Sequence, residues 1–130
     1  MGNNILPDTC AWIDFFRSKP SLMGEKVEAA LVHGEVVTCG VVLFELLQGI
    51  KSPREEALVL SAFQAVPHLE MTERLWIKAG RLSTQIRKKG HTLPLSDIII
   101  ATLVQEHSCS LLTVDRHFDF IPGLAVIRSA

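Results

Sequence analysis

The sequence offers little for covalent cross-linking or for membrane insertion. Its three cysteines, Cys10, Cys39 and Cys109, are an odd number without C-x-x-C or Cys/His ligand spacing, which argues against a disulfide framework and against a structural zinc site. No stretch approaches the roughly 18 consecutive apolar residues that cross a membrane, and the opening Met-Gly-Asn-Asn lacks the basic and apolar regions of a signal peptide. We therefore expect a cytoplasmic protein with no membrane partner.

An excess of charge of either sign is also missing. The formal net charge is −1, so the chain as a whole has no attraction for nucleic acid or for anionic membranes, and any binding of a polyanion must depend on a local patch. Apolar residues make up 48% and charged residues 21% of the chain, which are values typical of globular proteins. The 130 residues predict one domain that spans positions 1–130.

Short apolar runs alternate with helical patterns along the chain. Strands are predicted at 5–6, 36–38, 66–70, 110–114 and 124–127. Helices are predicted around 12–16 and over 21–33, 41–48, from 53 onward, 73–89 and 98–106, with Gly34 after the second helix and Ser96 as the N-cap of the last. Strands separated by helices predict βαβ units and a mostly parallel sheet covered on both faces, which is an α/β fold.

Four acidic residues, Asp8, Glu45, Asp97 and Asp115, lie at the edge or in the middle of apolar runs. A buried carboxylate is costly unless it is paired, hydrogen-bonded or bound to a cation. Asp8 and Asp115 follow predicted strands, at the sheet edge where α/β proteins bind ligands, and the other two lie on helices that can reach the same edge. Crowding would raise the pKa values of the four acids, and a hard divalent cation would relieve it. The pattern predicts a metal site.

The residues around these acids carry a family resemblance. The signatures, in chain order, are the stretch 8–17 (DTCAWIDFFR), the isolated Glu45 in an apolar helix, Leu95-Ser96-Asp97 before an Ile-rich helix, and the stretch 112–118 (LTVDRHF). Together they resemble the PIN domain and, more narrowly, the VapC-type toxins of bacterial type II toxin–antitoxin pairs. The resemblance extends from Ile5 to about Ile127. It implies a three-layer α/β/α sandwich and divalent-metal-dependent hydrolysis of RNA phosphodiester bonds.

The resemblance also implies roles for individual residues. Asp8 and Asp97 would be the first metal ligands for Mg²⁺ or Mn²⁺, Asp115 would complete the metal site directly or through water, and Glu45 would position or deprotonate the attacking water. Thr113 would orient Asp115. The partners implied are an RNA substrate, a VapB-type antitoxin whose C-terminal peptide crosses the acidic groove, and a second copy of the chain in a homodimer.

Several features have two readings. Thr9 could hydrogen-bond a phosphate or a metal-bound water. The predicted helix 73–89 carries a basic stripe, which is either a solvated face or a phosphate-binding rim. The stripe consists of Arg74, Lys78, Arg81 and Lys88. The histidines lack H-x-x-x-H and H-E-x-x-H spacing, so a histidine metal site is not predicted and His117 is interpreted as a surface residue.

Two other functional classes remain. A phosphoacceptor domain of the receiver type also places carboxylates at strand ends, but it needs adjacent N-terminal acids and a lysine after a late strand, and the segment 124–128 has no lysine. A non-catalytic module that keeps the metal pocket only to dock a partner would be indicated by the loss of one essential acid. All four acids are present.

Overall fold

The computed structural model describes residues 3–17 and 19–128. Its helices are α1 (Thr9–Phe16), α2 (Leu22–Val32), α3 (Gly40–Gln48), α4 (Pro53–Gln64), α5 (Glu73–Lys88) and α6 (Leu95–Glu106), with a 3₁₀ helix at Arg116–Phe120. The strands are β1 (Ile5–Pro7), β2 (Thr38–Cys39), β3 (His68–Leu69), β4 (Ser110–Leu112) and β5 (Val126–Ile127). Of the described helices, none is both long enough and apolar enough to cross a membrane.

All the strand pairs are parallel. The chain orders them as β1-β4-β5 and β2-β3, and a parallel bridge between Ile5 and Val36 joins the two groups. At this bridge the backbone N–H of Ile5 donates to Glu35 at 2.8 Å, and that of Val37 donates to Ile5 at 2.9 Å. The predicted α/β fold is confirmed, with helices on both sides of a parallel sheet. The carboxyl ends of neighbouring strands β1 and β4 therefore meet at one edge, directly before Asp8 and shortly before Asp115.

The core is built around the sheet and helix α6. Every residue from Asp97 to Val104 is buried, which explains why this helix has apolar residues on all sides rather than on one face. Trp12 of α1 is fully buried and contacts Phe63 of α4, with ring centroids 4.7 Å apart. Because α1 and α6 are both anchored in the core, Asp8 at the start of α1 and Asp97 in the first turn of α6 are held on rigid elements.

Several predicted boundaries need correction. Helix α6 begins at Leu95 after Pro94, which makes no side-chain cap, so the prediction that Ser96 is the N-cap is wrong: Ser96 lies inside the first turn. Strand β1 is one residue longer than predicted, whereas the other four strands are shorter, because pairing with the parallel neighbour sets their length. Helix α2 agrees well, since Ser21 accepts a hydrogen bond from the Gly24 N–H at 2.9 Å and Gly34 follows with a φ of +68°.

Candidate metal centre and active site

Asp8 connects β1 to α1 and is the most firmly held of the four acids. It is the N-cap of α1, with Oδ1 accepting the Thr9 N–H at 2.8 Å, while Oδ2 accepts the Thr113 hydroxyl at 2.8 Å. Asp8 is only 8% exposed. Burial raises the pKa of Asp8, the two hydrogen bonds oppose that rise, and the charges of Glu45 and Asp115 add to it.

Thr113 links the end of β4 to two acids at once. Its fully buried hydroxyl donates to Asp8 and accepts the Asp115 backbone N–H at 3.0 Å. Thr113 thus holds Asp115 through its backbone N–H, which is compatible with the predicted orienting role, and it also fixes the Asp8 carboxylate. The thiol of Cys10 lies 3.8 Å from both Asp8 Oδ2 and the Thr113 hydroxyl, so it packs against this hydrogen bond.

Asp97 lies in the first turn of α6 and is 9% exposed. Its pKa is raised to about 6, mainly by burial and then by the charges of Asp115 and Asp8, while a hydrogen bond from His117 opposes the rise. The charges of Asp115 and Asp8 therefore act on Asp97, and those of Glu45 and Asp115 act on Asp8. The structure brings the four predicted acids into one group, which we term the acidic cluster.

His117, which the sequence places near the site and which is interpreted there as a surface residue, borders this cluster. Asp115 caps the 3₁₀ helix and accepts the His117 N–H at 2.8 Å, which places the ring beside α6. The Nδ1 atom lies 3.3 Å from Asp97 Oδ2 and 3.4 Å from Asp115 Oδ1. Among the described residues, one set of potential metal-ligating atoms lies within 4.8 Å of one another, contributed by Asp97, Asp115 and His117. Asp8 and Glu45 lie outside that compact set.

Glu45 reaches the cluster from α3 and is half-buried. The Thr9 hydroxyl donates to Glu45 Oε1 at 2.5 Å, so Thr9 contacts an acid in this structure and its predicted contact with phosphate or water stays a prediction. Among the described residues, Oε2 of Glu45 has no hydrogen-bond partner. Thr9 therefore connects Asp8, through its backbone, to Glu45, through its side chain.

Arg128 is a second residue that the sequence did not indicate. Its guanidinium donates to the carbonyl oxygens of Thr113 at 3.4 Å and Asp115 at 3.2 Å, and it also pairs with the Asp119 carboxylate. These contacts hold the segment that carries Asp115 and His117 against the end of β5. The long interval in sequence between Arg128 and its partners is why no local motif indicated this contact.

The basic stripe of α5 divides into two halves. Arg74 and Lys78 both pair with Glu106 at the end of α6, with Lys78 Nζ 3.0 Å from Oε1, and these two cations lower the pKa of Glu106 to about 2. Glu106 lies nine residues after Asp97, or about 13 Å along the helix axis. Arg81 and Lys88 have no ion-pair partner within the ranges that the structure describes. The predicted phosphate-binding role is thus better suited to Arg81 and Lys88.

The donor atoms of the cluster suit a divalent cation. Carboxylate oxygens are the ligands of Mg²⁺ and Mn²⁺, and a neutral imidazole is a ligand of transition-metal ions. The pKa of Asp97 is raised first by burial and then by the charges of Asp115 and Asp8, and a bound cation would stabilise the charged form against both. The residues present therefore fit a divalent metal ion.

Comparisons with known proteins agree with the fold. Ribonuclease VapC19 of Mycobacterium tuberculosis is 30% identical over 120 residues, which cover 92% of this chain and 95% of that protein. Ribonuclease VapC11 of the same species is 24% identical over 130 residues and 97% of each chain. The crystal structure of DNA-bound VapBC from Salmonella typhimurium superposes with a TM-score of 0.82 at 22% identity, covering 98% of each chain. A model of the PIN domain matches residues 5–124, and the chain belongs to the PIN domain family.

Proposed function

We propose that this chain is a divalent-metal-dependent endoribonuclease that acts as the toxin of a toxin–antitoxin pair. The observation that carries the proposal is the convergence of Asp8, Glu45, Asp97 and Asp115 at the carboxyl ends of β1 and β4, held by Thr9 and Thr113. The names of the relatives, which are ribonucleases, support the substrate class. Because its RNA substrates are in the cytoplasm, we place its action there.

The proposed roles follow from the contacts. Asp8, Asp97 and Asp115 would hold Mg²⁺ or Mn²⁺, and two hydrogen bonds fix the Asp8 carboxylate for that role. The chemistry that such an ion supplies is neutralisation of charge on the scissile phosphate and a lowered pKa for a nearby water. Glu45 would orient that water and accept its proton; in support of this role, Thr9 fixes Oε1, and Oε2 has no protein partner among the described residues.

A cavity beside Glu45 has a lining that suits the binding of a protein partner. It has a volume of about 300 Å³ and combines the charged Glu45 with apolar side chains, of which Ile13 and Leu58 are well exposed. Its lining includes Ile13, Phe16, Leu46, Leu58 and Val59. We propose that a peptide segment of a VapB-type antitoxin lies in this cavity and blocks the acidic cluster. A homodimer is the proposed assembly, and exposed Trp76 and Leu95, which line a common groove, are the proposed contacts between copies.

An RNA-cleavage assay with the purified chain tests the function. Wild type is expected to cleave RNA with Mg²⁺ or Mn²⁺ and not in chelator, and Glu45→Gln is expected to lower the rate about 10²–10⁴-fold, as for loss of a general base. The amide can still accept the Thr9 hydroxyl, so the variant should fold. Glu55→Gln is the matched control, since this exposed acid lines the same cavity outside the acidic cluster.

Two results would contradict the proposal. Cleavage that persists in chelator would contradict the metal dependence, and full activity of a folded Glu45→Gln variant would contradict the role assigned to Glu45.

The same preparation tests the proposed partners. Adding the antitoxin should suppress cleavage, and Leu58→Arg should weaken that suppression without changing the basal rate. The mass of the chain in solution should be that of a dimer.

A further inference from the structure

We propose that the imidazole of His117 is a metal ligand, which makes the centre prefer transition-metal ions such as Mn²⁺ and Co²⁺ to Mg²⁺. The inference rests on the proposed function and deepens it, because it adds a nitrogen ligand to a site otherwise made of carboxylates. The side chain of His117 is 56% exposed, but its Nδ1 atom faces inward, toward acids from two different elements. One of these acids lies on α6 and the other precedes the 3₁₀ helix.

Nδ1 of His117 makes a long hydrogen bond with Asp97, and the distances also match shared coordination of one ion. Nδ1 lies 3.3 Å from Asp97 Oδ2 and 3.4 Å from Asp115 Oδ1, whereas a charge-assisted hydrogen bond is about 2.7–2.9 Å long. Ligands about 2.1 Å from one ion lie about 3.0 Å apart when they are neighbours in an octahedron and about 3.4 Å apart in a tetrahedron. The spacing of Nδ1 from the two oxygens is therefore near that of atoms around a single ion.

The backbone holds His117 in this position. Its N–H donates to Asp115 Oδ1 at 2.8 Å, and Asp115 in turn is held through its own N–H by the buried Thr113 hydroxyl. Phe118, the next residue, is buried in the core and fixes the 3₁₀ helix on which His117 lies. A surface histidine with no role would not need an anchored turn on both sides, so the ring is preorganised beside the acids.

A nitrogen ligand changes which ion the centre holds. Mg²⁺ takes oxygen ligands almost exclusively and keeps several waters, while imidazole contributes to the binding of Mn²⁺, Co²⁺ and the later transition metals in rising order. Asp97, Asp115 and His117 would together offer the ion two carboxylate oxygens and one imidazole nitrogen.

Electron paramagnetic resonance of the Mn²⁺-loaded protein tests the proposal without measuring activity. Electron spin-echo spectra of wild type should show nitrogen modulation whose frequencies change when the histidines are labelled with ¹⁵N. His117→Gln should lose the modulation and bind Mn²⁺ about tenfold more weakly, with little change in Mg²⁺ affinity. His107→Gln is the control, because His107 is an exposed histidine at the end of α6 opposite to Asp97, and it should keep both properties.

The outcomes separate this inference from the function on which it rests. If Mn²⁺ binds and Asp97→Asn weakens it, but the wild-type echo shows no nitrogen, the centre is made of oxygen ligands alone and the inference is wrong while the proposed function stands. If Mn²⁺ does not bind wild type even at millimolar concentration, both are wrong. The wild-type spectrum decides the question even if His117→Gln folds poorly.

Discussion

Asp97 and Glu106 lie near opposite ends of helix α6, and their pKa values are shifted in opposite directions. The pKa of Asp97, buried among other acids, is raised to about 6, whereas that of Glu106, paired with Arg74 and Lys78, is lowered to about 2. The helix dipole alone would do the reverse, because it favours a negative charge at the N-terminus and disfavours one at the C-terminus. The local surroundings of each carboxyl group therefore outweigh the dipole.

The comparison distinguishes a carboxyl group whose charge is costly from one whose charge is stabilised. The dipole contributes about 0.3–1 kcal/mol, but the shift of Asp97 from 3.8 to about 6 corresponds to roughly 2–3 kcal/mol against the charged form. A divalent cation bound beside Asp97 would offset this cost. The charged form of Glu106 carries no such free-energy cost, because the exposed cations of Arg74 and Lys78 stabilise it.

The largest effect is expected where hydrogen bonds hold the acidic cluster together. Thr113→Val keeps the shape of the side chain but removes the donor to Asp8 and the acceptor for the Asp115 N–H. The Asp8 carboxylate and the Asp115 backbone N–H then each lose a hydrogen-bond partner, which should lower the free energy of unfolding by about 2–4 kcal/mol. Chemical denaturation in chelator measures this difference.

Thr102→Val is the matched control for that variant. Thr102 is equally buried, but its hydroxyl donates to the Ile98 carbonyl at 2.7 Å within α6, and this carbonyl belongs to the helix hydrogen-bond ladder anyway. Loss of the Thr102 hydroxyl should therefore change the free energy of unfolding only slightly. Equal destabilisation of the two variants would mean that Thr113 is an ordinary core residue rather than the support of the acids.

The next effect concerns the pH dependence of the two ends of α6. Because the folded-state pKa of Asp97 exceeds its unfolded value of 3.8, the folded chain binds the proton more tightly, and stability falls as pH rises from about 4 through about 6. Asp97→Asn mimics the protonated form. In chelator it should be about 2–3 kcal/mol more stable than wild type at pH 7.5 and equal to it near pH 4, as measured by denaturation at each pH.

Glu106→Gln should change stability in the opposite sense. The folded-state pKa of Glu106 is lowered from 4.5 to about 2, so its contribution is fully present above about pH 4.5 and is lost as pH falls through about 2. At pH 7.5 the variant should be slightly less stable than wild type, and high salt should remove the difference. A stabilised Glu106→Gln or a destabilised Asp97→Asn would contradict the comparison.

The sequence predicts the fold and the acids better than the surface. Asp97 and Glu45 are recognisable because a charge within an apolar run implies burial, and Asp8 and Asp115 because strand ends meet at one edge of a parallel sheet. The four acids lie together as predicted, while their catalytic roles stay predictions. The alternation of strands and helices predicts an α/β fold with a covered parallel sheet, the family resemblance implies the three-layer sandwich, and the comparisons confirm both.

The features that the sequence did not reveal depend on contacts between distant segments. His117 approaches Asp97 only because the turn after Asp115 packs on α6, and no spacing motif encodes that packing. The pairing of Arg74 and Lys78 with Glu106 joins residues 28 or more positions apart, so helical periodicity within α5 alone cannot distinguish them from Arg81. Local patterns predict burial and helix faces, and tertiary contacts decide which charges are paired.

The smallest effect is expected on the basic stripe and is seen in RNA binding. If Arg81 and Lys88 contact phosphate, converting both to Gln should reduce the slope of log affinity against log salt by roughly 1.4, since each contact with single-stranded RNA contributes about 0.7. Converting Arg74 and Lys78 to Gln should change it less, because Glu106 already neutralises part of their charge. Asp8→Asn protein in chelator prevents cleavage during the measurement. Equal slopes for the two double variants would contradict the division of the stripe, and an unchanged slope in both would make it a solvated face.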